Sequence, residues 1–299
     1  MKYLVTGSSG QLGSYLVEEL VRAGNRTVGI DLCISGYREV DRHTMLGDIC
    51  DPELCRQVMG GADVVIHAAA QVSVVDAVKD PVADARTNIM GTLNLLNAAV
   101  EHGVGRFIYI SSAAVFGNPR YLPIDEGHPV SPISPYGVSK LAAERYALAF
   151  QQTYELPVVA IRPFNIYSPR QDPDNPYSGV ISIFARRLKE GRPPIIYGDG
   201  SQTRDFVHAK DVVQAIVLAA TSKYATGHAF NIGTGRQLSI NDLAARLIAI
   251  SGAGYAPSYE PERRGEISHS YADISKAHRL LGYEPSVSLD EGLKELLDI

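Results

Sequence analysis

Five apolar, β-branched runs separated by amphipathic segments constrain this chain more than any other feature of its sequence. KYLVTG (2–7), TVGID (27–31), ADVVIHAAA (62–70), RFIYISS (106–112) and PVVAIRP (157–163) are close to continuous in hydrophobicity. Strands buried on both faces read this way, whereas half-exposed strands alternate. Amphipathic spacing predicts helices over 11–23, 52–59, 84–102 and 136–153. Strands alternating with helices imply right-handed crossovers and an α/β fold with a doubly wound parallel sheet.

The pattern changes after about residue 165. SPRQDPDNPYSG (168–179) is a Pro- and Asp-rich loop, and PPIIYGDG (193–200) is a short strand with a turn. Helices are predicted at 180–190, 209–221, 239–251, 274–281 and 289–298. The expected organisation is a first domain over 1–165 and a smaller mixed α/β lobe over 166–299, partly interleaved with it. A chain of 299 residues can bury cores of that size.

Composition narrows the function. A net charge of −5 leaves no basic surplus to offset nucleic-acid phosphates. The cysteines Cys33, Cys50 and Cys55 are odd in number and lack zinc-ligand spacing, so neither a disulfide framework nor a metal is expected. The N-terminal MKYLVTG has no charged region followed by an apolar one, and no apolar run reaches membrane-spanning length. A cytoplasmic enzyme or binding protein, without a membrane or nucleic-acid partner, is the expectation.

The first strand runs into TGSSGQLG, which spaces Gly7, Gly10 and Gly13 as G-x-x-G-x-x-G. Such glycines permit a tight turn, close approach of a pyrophosphate and close helix–strand packing, and the helix start offers free N–H groups. A glycine-rich turn without a ligand remains the alternative for this motif alone. Asp31 ends the second strand, where a carboxylate accepts from both adenosine ribose hydroxyls and repels a 2′-phosphate, favouring NAD over NADP. Asp48 and Ile49, in GDICD, border the same cleft, although Asp48 also reads as a helix N-terminal acid. The small residues Ala68, Ala69 and Ala70 would let a cofactor lie against backbone. His67 reads as structural.

Ser111 and Ser112 end the fifth strand in the same crevice, with no G-x-S-x-G elbow to suggest a hydrolase. SPYGVSK (134–140) puts Pro135 in the first turn of a helix and Tyr136 one turn ahead of Lys140 on one face. A phenol titrates near 10, so a base working near pH 7 needs roughly three units of depression, about 4 kcal/mol. A nearby ammonium together with an oxidised nicotinamide can supply that.

Together these pieces resemble the extended short-chain dehydrogenase/reductase superfamily, in its NAD-dependent sugar-nucleotide epimerase/dehydratase branch. TGSSGQLG, Asp31, GDICD, HAAA, TNIMGTLNLL (87–96), SSAAVFG, SPYGVSK, RPFNIYSPRQ (162–171), YGDGSQTRDFVHAKDV (197–212) and RRGEISHSYADISKA (263–277) occur in the family's order across nearly the whole chain. The resemblance implies a Rossmann-type sheet and carries catalytic roles to Ser112, Tyr136 and Lys140. Cofactor-contacting positions fall at Gly7, Gly10, Gln11, Leu12, Asp31, Asp48, Ile49, Ala68, Ala69, Ala70, Asn88, Ser111, Tyr136, Lys140 and Pro163. Substrate-holding positions fall at Ser112, Tyr136, Asn165, Val180, Tyr197, Arg204, Arg263, Glu266 and Ser270, the two arginines being forked donors suited to a diphosphate.

Departures from the family pattern narrow the reaction. Its 4,6-dehydratases carry Asp–Glu after the catalytic Ser/Thr and its decarboxylases keep the Glu, whereas this chain has Ala113 and Ala114. What remains is reversible oxidation at one carbon: 4-epimerisation of a UDP-hexose, as in members acting on UDP-glucose and UDP-galactose. Ser270 stands where hexose-restricted members have a tyrosine, so an N-acetylated sugar is also expected to fit. Phe116 replaces a usual tyrosine. A uronic-acid epimerase, an NDP-sugar reductase or dehydrogenase, and a non-catalytic NAD sensor are the alternatives. The resemblance also implies a homodimer packed through 84–102 and 136–153.

Overall fold

The computed structural model describes residues 1–171, 179–262 and 267–299. Its main feature is the expected doubly wound sheet, seven strands long and parallel throughout. Six strands are β1 (Lys2–Thr6), β2 (Arg26–Asp31), β3 (Thr44–Leu46), β4 (Val64–His67), β5 (Arg106–Ile110) and β6 (Val158–Pro163). The seventh, Ala229–Ile232, pairs with β6 at one edge, and β3 forms the other. The order is thus Ala229–Ile232, β6, β5, β4, β1, β2, β3. It reverses between β1 and β4, and a crevice opens at the carboxyl ends of strands at such a switch point.

Two apolar layers cover the sheet, which is why its strands are so uniformly hydrophobic. On one face, Leu16, Leu20, Ile66, Ile108 and Ile161 pack with Val212, Ile216 and Leu281. On the other, Leu4, Val65, Phe107 and Val158 pack with Met59, Leu95, Leu96, Ala143 and Ala147. The helix Ala209–Thr221 and the edge strand lie beyond residue 165 in sequence yet belong to the first of these layers. A third, separate cluster is built on Phe184, Ile196, Leu243, Leu247 and Leu293.

The helix expected over 84–102 is divided. Pro81–Ala85 and Thr92–Glu101 are α-helical, and Arg86–Gly91 between them is a π-helical turn. Within it the Thr92 hydroxyl donates to the Asn88 carbonyl at 2.6 Å. Widened turns of this kind are frequent at functional positions, and this one holds a buried Asn88 against Gln71, Asp84 and Ser139. No helix among the described residues is long and apolar enough to cross a membrane.

Candidate active site

The glycine loop owes its shape to contacts that no side chain could share. Gly7 has φ +71°, and a Cβ there would meet the Ala69 nitrogen at 2.6 Å. A Cβ on Gly13 would overlap the Gly7 carbonyl oxygen. The helix Gln11–Arg22 opens on Gly10 with no side chain capping it. This cradle meets the requirement for a dinucleotide pyrophosphate: backbone approach from the loop and N–H donors at the start of a three-turn helix.

Asp31 ends β2 beside the glycine loop. Its carboxylate accepts from the Ser9 N–H at 2.9 Å and from the Cys33 N–H at 3.3 Å. Asp48 is exposed and accepts from the Cys50 N–H, while Asp51, not Asp48, caps the next helix. Ile49 is buried beneath. Ala68, Ala69 and Ala70 are partly exposed along the crevice, and the first two donate to the carbonyl and hydroxyl of Thr6.

His67 lies under this floor. Thr92 uses its proton on the Asn88 carbonyl and so accepts from His67 Nε2–H at 2.9 Å; Nδ1 then accepts from the Thr6 hydroxyl at 2.7 Å. Burial, reinforced by the Lys140 charge, drives its pKa down to about 3. It is a neutral structural histidine.

Ser112, Tyr136 and Lys140 converge at the next strand ends. Ser112 caps the single turn Ala113–Val115 by accepting from the Ala114 N–H at 3.1 Å, and its hydroxyl lies close enough to the Tyr136 phenol to favour its ionisation. Ser134 caps the helix Pro135–Tyr154 through the Gly137 N–H, with Pro135 at its start. Burial raises the Tyr136 pKa, against the lowering effect of Ser112, and Asp84 raises it further. Lys140 is buried, with Nζ 4.6 Å from the centroid of the Tyr109 ring. Burial lowers its pKa to about 7, against the opposing charges of Asp84 and Glu144.

Several residues here escaped the sequence reading. Asn88 donates to the Gln71 carbonyl, Asp84 and Ser139, and accepts from the Gln71 N–H, so Gln71, Asp84 and Ser139 complete the floor. The Ser111 hydroxyl donates to Glu144 at 2.6 Å, and Glu144 holds Arg162 through both oxygens. The signal was an arginine inside an otherwise apolar strand, PVVAIRP. Gln11 donates to Ser168, and Arg170 lies between the rings of Tyr15 and Tyr37, 4.0 and 4.2 Å from their centroids. These contacts tie the loop after the short strand β7 (Asn165–Tyr167) to the glycine loop and its helix.

On the smaller lobe, Tyr197 ends the strand Ile195–Tyr197 and lines a cavity of about 310 Å³ with Gln202, Glu262 and Ser268. Arg204 donates to the Thr203 and Ser268 carbonyls, and the Ser270 N–H donates to the Thr203 carbonyl. Tyr197, Arg204 and Ser270 thus lie around one strand segment. Asn165 is exposed on β7, Val180 opens the helix Val180–Lys189, and Pro163 is buried at the end of β6. Arg263 and Glu266 lie outside the described residues.

Residues 3–233 match the model of the NAD dependent epimerase/dehydratase family. The chain belongs to that family. Within it, the UDP-glucose 4-epimerase of Mycolicibacterium smegmatis is 38% identical over 308 residues, spanning 100% of this chain and 98% of that one. A Thermotoga maritima UDP-glucose 4-epimerase solved with UDP-glucose superposes with a TM-score of 0.94 at 38% identity, covering 100% and 98% of the two chains. A UDP-N-acetylglucosamine 4-epimerase of Methanobrevibacter ruminantium, solved with UDP-N-acetylmuramic acid, has a TM-score of 0.94 at 33% identity and coverage of 99% and 97%.

Proposed function

We propose that this chain is an NAD-dependent 4-epimerase of UDP-hexoses, interconverting UDP-glucose and UDP-galactose through a transient 4-keto sugar, with Ser112, Tyr136 and Lys140 as its catalytic residues. The observation that carries the reading is the Ser112 hydroxyl set close enough to the Tyr136 phenol to favour its ionisation, beside a buried Lys140 and followed by two alanines where elimination chemistry would need acids. Bound NAD supplies the acceptor and returning donor of the C4 hydrogen.

The chain's own residues do the rest. Tyr136 takes the proton of the C4 hydroxyl and gives it back, and Ser112 aligns that hydroxyl. Burial alone opposes a phenolate at Tyr136, so the role depends on positive charge brought against it. Lys140 is the resident source, and its ammonium is suited to bind the nicotinamide ribose as well. Gly7, Gly10, Gln11 and Leu12 hold the pyrophosphate; Asp31 holds the adenosine ribose; Asp48, Ile49, Ala68, Ala69, Ala70, Asn88, Ser111 and Pro163 line the rest. Asn165, Val180, Tyr197, Arg204 and, outside the described residues, Arg263 and Glu266 bind the UDP moiety from a lobe assigned to 166–299.

Ser270 favours a wider substrate range, because its small side chain beside Thr203 leaves room for a C2 acetamido group. Ser270→Tyr is expected to abolish epimerisation of UDP-N-acetylglucosamine while sparing UDP-glucose; unchanged acetamido activity refutes this role for Ser270. A cytoplasmic homodimer is part of the same proposal, supported by exposed Met90 and Tyr146 on the segments named for the interface. The test of the reaction is incubation with UDP-glucose, UDP-N-acetylglucosamine and UDP-glucuronate, with C4 configuration read by NMR. The galactose epimer without net NADH is expected, and no epimer from any substrate overturns the reading.

A further inference from the structure

Glu144 and Arg162 form an ion pair in which the side chains are 0% and 4% exposed, with Nε at 2.9 Å from Oε2 and Nη2 at 2.5 Å from Oε1. A buried pair of this kind costs so much desolvation that an apolar pair of similar volume is often as stable or more so. The site is not even fully satisfied, since Arg162 Nη1 is buried without a hydrogen-bond partner among the described residues. Stability alone therefore does not account for it.

Its position does. Glu144 follows Lys140 by one turn of the same helix, so the two side chains share a face. The Arg162 guanidinium reaches the carboxylate from β6 and lies over the Phe116 ring. The Ser111 hydroxyl fixes Oε2 from β5's end. Glu144 lies near enough to Lys140 for its charge to favour the ammonium, and so does a second buried carboxylate, Asp84, held by Asn88 and Gln71. The remaining groups against Lys140 carry no charge of their own: the Tyr109 ring on β5, neutral His67 on β4, and Tyr136 on its own helix.

Resting on the proposed function, which assigns Lys140 its catalytic part, we propose that Glu144 is a positioning residue whose carboxylate, held by Arg162 and Ser111, keeps Lys140 an ammonium in a water-poor site. Asp84 acts in the same sense. Burial works against that ammonium, and the two carboxylates work for it.

The experiment uses the full chain and the alkaline limb of the kcat–pH profile for UDP-glucose epimerisation. The double variant Glu144→Met with Arg162→Met removes the pair while filling its space. Asp84→Asn leaves the pair intact and guards against a folding failure in the first variant. Each is expected to move the alkaline limb down by about one pH unit or more, with KM for UDP-glucose little changed. A limb that stays in place in a folded variant, whatever its overall activity, overturns the proposal. Wild-type enzyme without epimerase activity in the same assay would instead refute the assigned reaction.

Discussion

Burial acts on Tyr136 and Lys140 in opposite senses: one turn apart on the same helix, it raises the phenol and lowers the ammonium to about 7. The free side chains titrate close together, near 10, so burial drives the two apart, and in the sense that disfavours both the phenolate and the ammonium. In the proposed reaction, a positive charge kept at Lys140 is what lets Tyr136 give up a proton nearer neutrality.

Tyr136→Phe removes only the reacting oxygen. The kcat for UDP-glucose should fall about 10²- to 10⁴-fold, the range for loss of a general acid–base group. The thermal midpoint should change little, because the ring is kept and only one hydroxyl is lost from a half-buried residue. Steady-state kinetics and a melting curve check both parts; a variant retaining more than a tenth of wild-type kcat contradicts the assignment.

Acid stability should depend on His67. Its pKa is about 3 when folded against roughly 6.5 when unfolded, so the unfolded state binds the extra proton between those values. The protein keeps this contribution in full above about pH 6.5 and loses it as pH falls toward 3, at about 1.4 kcal/mol per pH unit. Urea unfolding between pH 4 and 7 measures that slope. His67→Gln should be flatter, though less stable throughout; equal slopes would exclude His67 as the source.

Gly13→Ala places a methyl group on the Gly7 carbonyl, which is backbone and cannot swing away. A loss of about 1–3 kcal/mol in unfolding free energy is expected, as for overpacking. NAD affinity should fall as well, because the displaced segment is the pyrophosphate cradle. Chemical denaturation and a binding titration report the two effects separately.

Asp31→Asn should weaken NAD about tenfold to a hundredfold, the size of a hydrogen bond to a charged acceptor. NADP should bind better than to wild type, since a carboxylate no longer opposes the 2′-phosphate. Dissociation constants for both dinucleotides check the pair of shifts, and unchanged NADP affinity would remove Asp31 from the selectivity argument.

Much of the fold is legible in the sequence because the sheet is covered on both faces. Runs such as VVI in β4 and FIYI in β5 are apolar, short and rich in β-branched and aromatic residues, which reads as buried strand rather than helix. Helix starts at Pro52 and Pro135 follow from a capping residue and an N-terminal proline. Ala229–Ile232 is harder to see, since AFNI holds a buried asparagine whose amide donates to the Ile124 carbonyl. Pairs such as Thr203–Arg204 with Leu238–Ser239 are two residues long and exist only through tertiary contact.

The site divides in the same way. Tyr136 and Lys140 are neighbours on one helix and can be found by spacing. Glu144 and Arg162 are 18 residues apart and meet only when β6 lies beside that helix. The turn at Arg86–Gly91 looks helical in sequence, and its widening is set by Thr92 bonding Asn88 while also accepting from His67.

The central claim, oxidation and return at a single sugar carbon, is tested most directly with UDP-glucose carrying deuterium at C4. The account predicts UDP-galactose with the deuterium still at C4, because the hydrogen leaves and returns within one closed site. Deuterium lost to solvent, or no galactose epimer at all, would contradict it.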